Sequence, residues 1–240
     1  MSNIDSSVLI VIPAFNEELV LDKTLDALLN EVSANQVLVV SDGSTDKTAE
    51  IVKAKNINLL ELPFNLGVGA AMRTGFWFAK DNGFTKVIQF DADLQHQPKY
   101  LTNICDELEK FDVVVGSRFL NNNNYKVSSV RSIAMNLLKN SVSRHIGKNM
   151  TDVTSGFRGA NKKAIEIFAE KYPSEYLADT VESLILAHDS GLSISEIGVT
   201  MQERQGGLPS QNLIRSAFYL FRSILVIIAT LTIIPRKAQN

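Results

Sequence analysis

Cysteine is almost missing. Among 240 residues only Cys105 carries a thiol, so neither an intramolecular disulfide nor a multi-cysteine metal site can be built. This fits a reducing compartment, and Cys105 reads as a small apolar residue of a helix. No charge of one sign dominates. The 24 basic and 26 acidic side chains leave a net charge of −2, which gives no electrostatic reason to expect a nucleic-acid partner. No charged leader with a cleavage site precedes the first apolar run, Val8–Ile12, so no export signal is expected. No internal repeat is visible. The one membrane candidate is at the C-terminus, where the uncharged run Ser223–Ile234 has only 12 residues. As a helix it reaches roughly 18 Å, against a hydrocarbon core of about 30 Å, so alone it is too short to span.

What is present is an ordinary globular composition, 45% apolar and 21% charged, in a length suited to one α/β domain with a short appendage. We expect the domain over residues 1–212 and the appendage over 213–240. Short β-branched runs alternate with helical stretches, the pattern of repeated βαβ units around a mostly parallel sheet. Strands are expected at Val8–Ile12, Gln36–Val40, Asn58–Leu62, Lys86–Phe90, Asp112–Val115 and Ser193–Val199. Helices are expected at Glu18–Val32, Thr45–Lys55, Gly67–Asn82, Lys99–Phe111, Ser129–Ile146, Lys162–Lys171 and Thr180–Ser190, with a polar break at Asn121–Asn124. In the appendage, Arg215, Tyr219 and Arg222 recur at i, i+4 and i+7 and share a helical face, as in a helix lying in a membrane interface. A span with Arg222 snorkelling, or a helix buried in the domain or between copies in a homo-oligomer, are the other readings of Ala217–Ile234.

The strongest local signal is Asp91-Ala-Asp-Leu-Gln-His96, directly after the apolar run Val87–Phe90. Two carboxylates one residue apart, where a strand leaves its ladder, can converge on one hard cation such as Mg²⁺ or Mn²⁺. That ion would neutralise a departing diphosphate, and ligands of open α/β sheets sit outside the carboxyl ends of strands. Solvated aspartates in a polar loop are the plainer reading. Glu17 and Asp42, at the ends of the first two strands, can accept hydrogen bonds from a base or ribose, whereas Ser44 and Thr45 read better as helix caps. Asn65-Leu-Gly67-Val-Gly69 places glycines at a helix start, suited to close approach of phosphate. A bound phosphate needs fixed cations, and Arg offers bidentate geometry. Arg118, Arg131 and Arg204 are the candidates. Arg158 with Asp152 is expected to be a supporting ion pair, Phe76-Trp77-Phe78 a packing cluster, and Asp179 and Glu182 helix-start acids, with a sugar contact as their sharper role. His96 is not expected to be a base, since an ionised phosphate acceptor needs positioning more than proton removal.

The ordered set Pro13-Ala-Phe-Asn-Glu17, Asp42-Gly-Ser-Thr-Asp46, Asn65-Leu-Gly-Val-Gly69, Asp91-Ala-Asp-Leu-Gln-His96, Gly116-Ser-Arg118 and Ser155-Gly-Phe-Arg158 resembles family 2 glycosyltransferases, in the dolichol-phosphate mannose synthase-like branch. The resemblance covers nearly the whole chain. It implies a GT-A fold that inverts a sugar as it passes from a nucleotide-diphosphosugar, GDP- or UDP-linked, to a polyprenyl phosphate on the cytoplasmic side of a membrane. By position, Pro13, Ala14, Asn16, Glu17 and Asp42 would bind the nucleotide, and Asp91, Asp93 and Gln95 the metal. Arg204, in Glu203-Arg-Gln-Gly-Gly207-Leu-Pro-Ser210, resembles a late family motif with one extra residue. The sequence departs at Ser41, where relatives commonly carry a second acid, and the base stays open between guanine and uracil. A transferase extending a saccharide, and an inactive membrane-tethered nucleotide-binding subunit, are the rival readings.

Overall fold

In the first strand, β1 (Val8–Ala14), side chains alternate between two apolar layers: Leu9 and Val11 join one buried cluster, Val8, Ile10 and Ile12 the other. A strand buried on both faces must lie inside a sheet covered by helices on both sides, and β2 (Val37–Asp42) repeats the alternation. The computed structural model describes residues 4–120, 129–173 and 179–202, with the side chains of 129–131, 133 and 134 outside that description. Within them the remaining strands are β3 (Asn58–Leu62), β4 (Lys86–Gln89), β5 (Val113–Ser117), β6 (Arg158–Asn161) and β7 (Ile194–Gly198). They form one seven-stranded sheet in the order β3-β2-β1-β4-β6-β5-β7. All neighbours are parallel except β6, which runs antiparallel to both β4 and β5.

The helices are α1 (Leu21–Leu29), α2 (Thr48–Ala54), α3 (Val68–Asp81), α4 (Leu101–Glu107), α5 (Ser129–Ile146), α6 (Lys162–Lys171) and α7 (Asp179–Asp189). Buried residues of α1, α2 and α4 pack one face, and those of α3, α5, α6 and α7 the other. The α/β class and the mostly parallel sheet are as the alternating pattern predicts. The differences are local. α1, α2 and α4 are shorter than expected: residues 18–20 and 108–110 form turns, α2 begins only at Thr48, and Pro98–Tyr100 is a 3-10 turn. β6 was not expected as a strand. Arg158-Gly-Ala-Asn161 has no β-branched residue, and its Gly159 is there for proximity: a Cβ would come within 2.5 Å of Ile104 Cγ2 in α4. Trp77 is not packed as expected but 60% exposed, since three consecutive helical residues cannot share a face and Phe76 takes the core side.

Asn121–Asn124, Arg204 with its Gly-rich motif, and the 213–240 segment lie outside the described residues. Among the described residues no helix is long and apolar enough to cross a membrane.

Candidate active site

Three strand ends, those of β1, β2 and β4, open on the same edge of the sheet because these strands are parallel and adjacent. The first two loops are clasped to one another. The Asn16 backbone N–H donates to Ser44 Oγ at 3.1 Å, and Asn16 Oδ1 accepts from Thr45 N–H at 2.8 Å. Glu17 N–H donates to Thr48 Oγ1 at 2.9 Å, and Glu18 Oε2 accepts from Lys47 N–H at 3.0 Å. Ser44 and Thr45 therefore join loops and do not cap α2, whose N-cap is Lys47. Asn16 holds a left-handed backbone, φ 55°, which its short amide side chain tolerates. Pro13 and Ala14 pair with Val40 and Ser41 along the sheet and form the floor beneath the clasp.

Asp42 is buried, and its carboxylate accepts the Leu66 N–H at 2.7 Å and the Gly67 N–H at 2.8 Å. It thus pins the glycine turn before α3. Gly43 makes the crossing possible: φ is +69°, and a Cβ would lie 2.5 Å from the Phe64 carbonyl carbon.

The β4 end carries the aspartates. Asp91 N–H donates to His96 Nδ1 at 3.0 Å, and Asp91 Oδ1 accepts from Gln89 Nε2 at 3.2 Å. Asp93 accepts from Gln95 twice, at 3.1 Å from the backbone N–H and 2.7 Å from Nε2. Asp91, Asp93 and Gln95 are thus gathered in one tight turn, with Leu94 at φ 64° closing it. His96 is buried and stacks on Phe157 at 4.7 Å, with its ring edge-on to Phe90 at 5.3 Å. Burial pushes its pKa down, against the pull of Asp91 and Asp93, and the nearby charge of Arg118 acts in the same direction as burial. A neutral imidazole accepting from a backbone N–H is a strut for the turn, not a proton acceptor for substrate.

Among the described residues, no group of three or more His, Cys, Asp or Glu gathers that could enclose a metal by itself. Two carboxylates and an amide oxygen in one turn still fit Mg²⁺ or Mn²⁺, which often take one or two protein carboxylates and fill the remaining positions with substrate phosphate and water. Gly156 gives Asp91 its room: a Cβ there would lie 3.0 Å from Asp91 Oδ2 and 3.1 Å from Gln89 Nε2. Gly156→Ala is accordingly expected to cut turnover by at least about tenfold through displacement of Asp91, with the melting temperature nearly kept. Steady-state assay beside a thermal melt checks this, and unchanged turnover would show that Asp91 does not need its present position.

Arg118 follows β5 and is buried. Its Nε and Nη2 donate to the two oxygens of Asp152 at 2.7 and 2.8 Å, and its backbone N–H to Oδ2 at 3.1 Å. Burial opposes the charged form of Asp152, but the hydrogen bonds and charge of Arg118 outweigh it and hold the carboxyl below the usual range. The expected Arg158–Asp152 pair is therefore corrected. Arg158 lies in β6 and donates instead to Ser155 O at 3.0 Å, Thr180 O at 2.7 Å and Ser183 Oγ at 2.8 Å, tying β6 to the start of α7. Arg131 lies in the first turn of α5, with its side chain outside the described residues.

Asp179 does more than open a helix. It is 2% exposed, its Oδ2 has no hydrogen-bond partner among the described residues, and burial pushes its pKa up to about 6 against the opposing charge of Arg158. In the unfolded chain the same carboxyl titrates near 4. Above about pH 6 folding must bury its charge, so stability is lowered there; the penalty fades as pH falls from 6 towards 4. Asp179→Asn should raise the metal-free melting point near pH 8, by up to roughly 3 kcal/mol in stability, and much less near pH 4.5. Equal gains at both pH values would contradict the buried-charge account.

A family model for glycosyl transferase family 2 matches residues 9–168, which include the clasped loops after β1 and β2, the aspartate turn and β6. The chain belongs to that family. This transferase is 31% identical to an uncharacterized protein of Methanocaldococcus jannaschii, over 91% of each chain. It is 25% identical to the UDP-N-acetylglucosamine–dolichyl-phosphate N-acetylglucosaminyltransferase of Methanococcus voltae, over 93% of this chain and 96% of the other. Its fold matches glucosyl-3-phosphoglycerate synthase of Mycobacterium tuberculosis, crystallised with Mn²⁺, UDP and glucosyl-3-phosphoglycerate, with a TM-score of 0.71, 18% identity and coverage of 96% of this chain and 81% of that one. The shared architecture is the GT-A arrangement.

Proposed function

We propose that this transferase moves a sugar, with inversion, from a nucleotide-diphosphosugar to a polyprenyl phosphate at a membrane surface. The observation that carries the reading is the aspartate turn at the β4 end, on the same sheet edge as the clasped loops after β1 and β2, in a chain aligned along 93% of its length with a relative named for transfer to dolichyl phosphate. In this reading Pro13, Ala14, Asn16 and Glu17 shape the base and ribose site. Asp42 holds the Leu66–Gly67 turn so that its backbone lies against the donor. Asp91, Asp93 and Gln95 would hold Mg²⁺ or Mn²⁺, which would supply charge stabilisation for the departing nucleoside diphosphate. Arg118, Arg131 and Arg204 face the acceptor phosphate, whose oxygen is already ionised near neutral pH and attacks the anomeric carbon without a base. The 213–240 segment lies in the membrane interface and keeps this edge of the sheet at headgroup level.

The test is a panel of UDP- and GDP-sugars offered to the purified full-length protein with Mn²⁺ or Mg²⁺, with a short polyprenyl phosphate or a free saccharide as acceptor. Label in an acid-labile lipid product is the expected result and names the donor. Label only in the saccharide would replace this reading with a saccharide-extending transferase. No turnover with any donor would point to a tethered binding subunit.

A further inference from the structure

A cavity of about 320 Å³ opens beside the Arg118–Asp152 pair, between α5 and the turn that carries Asp152. That volume is at the lower end of ligand pockets, roughly 300–1,000 Å³. One wall is a single face of α5: Ser132, Met135, Asn136 and Lys139 fall at i, i+3, i+4 and i+7 and all line the space. Phe119 and Val153 close it from the other sides. Its lining is thus divided between an apolar part, Phe119, Met135 and Val153, and a polar part ending in one cation.

The charge balance of the cavity is unusual. Asp152 reaches it, but the carboxylate is already neutralised by Arg118. Lys139 is half-buried on the cavity wall, and the carboxylate beside it is committed elsewhere, so among the described residues the lining carries a net positive charge. The cavity is also close to the chemistry. Thr154 lines it, and two residues further along, a Cβ at Gly156 would lie 3.0 Å from Asp91 Oδ2, so the stretch of chain that walls the cavity runs on against the aspartate turn. A cation with amide and hydroxyl neighbours at one end, and aromatic and aliphatic walls at the other, suits an anionic head attached to an apolar chain. A sugar would leave the apolar walls idle, and an uncharged lipid would leave the ammonium unpaired.

The geometry points to Lys139 as the cation that positions the acceptor's phosphate, with Asn136 and Ser132 as its hydrogen-bonding neighbours and with Phe119, Met135 and Val153 around the first isoprene unit. This rests on the polyprenyl-phosphate reading above and adds to it a residue and a seat for the lipid. Lys139 binds the acceptor directly, because the attacking oxygen needs orientation and its charge needs a partner until that oxygen bonds the anomeric carbon and the negative charge leaves with the nucleoside diphosphate.

The experiment uses detergent-solubilised full-length protein and the probes farnesyl phosphate, farnesol and inorganic phosphate, with binding measured by calorimetry and turnover by label transfer. Lys139→Met keeps the aliphatic stem and removes the charge. It is expected to weaken farnesyl phosphate binding and raise the acceptor KM by at least about tenfold, the loss typical of deleting a charge-assisted hydrogen bond, while UDP or GDP affinity and donor KM stay the same. Lys139→Arg should recover most of the loss, which a merely structural lysine would not require. Met135→Trp, filling the apolar end, should weaken farnesyl phosphate and spare nucleotide binding. The wild type should bind farnesyl phosphate more tightly than farnesol or inorganic phosphate.

If Lys139→Met binds and transfers to farnesyl phosphate within about twofold of wild type, the assignment of Lys139 is overturned while the function stands. If the wild type binds farnesyl phosphate through Lys139 yet transfers no sugar to it, the cavity assignment stands and the proposed reaction falls. If it binds inorganic phosphate as tightly as farnesyl phosphate, the apolar walls have no role and the lipid seat is wrong. If it binds none of the probes, both fall.

Discussion

Asp93→Ala should lower sugar transfer by about a thousandfold or more while leaving the protein folded. A divalent cation stabilises several kcal/mol of transition-state charge, and each 1.36 kcal/mol is a factor of ten in rate. Asp93 separates chemistry from folding because it is only half-buried, in a turn outside the apolar core, where its carboxylate accepts from Gln95 at 2.7 and 3.1 Å. Its removal should cost the fold little beyond ordering of that turn, and the melting temperature should move by no more than a few degrees. Asp93→Asn refines the test: it keeps a similar shape and an oxygen that can accept from Gln95 but loses the charge, and should be nearly as inactive as Asp93→Ala. The assay is label transfer to polyprenyl phosphate at saturating Mn²⁺, beside a melt. Retention of more than about a tenth of wild-type turnover by either variant would remove Asp93 from the metal site.

That experiment depends on a feature plainly legible in the sequence. A β-branched run followed by two acids one residue apart needs no tertiary information to be placed at a strand end; five of the seven strands carry such β-branched residues, and a sixth, β3, shows itself by its leucines. β6 was not, because its identity is tertiary. Gly159 sits where α4 leaves no space for a side chain, and Arg158 is buried because Ser155, Thr180 and Ser183 collect its donors, none of which a propensity scale can register. The same limit applies within the site. Asp42 and Ser44 were recognisable as polar groups at a strand end, but their structural partners lie 24–28 residues away, in the glycine turn and the Asn16 loop. A sequence reading offers each polar residue to the substrate or to its own helix. The fold offers it a third loop.

Arginine pairing was the least legible element, since any buried guanidinium can serve any nearby acid until the loops are in place. The pair that formed, Arg118–Asp152, is also where a structural and a catalytic role can be told apart. Both side chains are almost fully buried, 7% and 0% exposed, and a buried ion is costly when its partner is removed. Asp152→Ala is therefore expected to destabilise the protein by about 3–5 kcal/mol, a fall of roughly 10 °C in melting temperature, and to abolish transfer with it. The double variant Arg118→Met with Asp152→Leu replaces the pair by apolar volume and should regain most of that stability, since apolar replacement of a buried ion pair is often neutral or stabilising. Activity then decides the role. If Arg118 also faces the acceptor phosphate, the double variant melts like wild type but transfers no sugar, with donor affinity unchanged. A double variant with wild-type turnover would make the pair a strut only and leave the acceptor's charge to cations elsewhere in the site. A double variant as unstable as Asp152→Ala would mean that the three hydrogen bonds Asp152 accepts from Arg118, and not the uncompensated charge, hold this corner of the fold together.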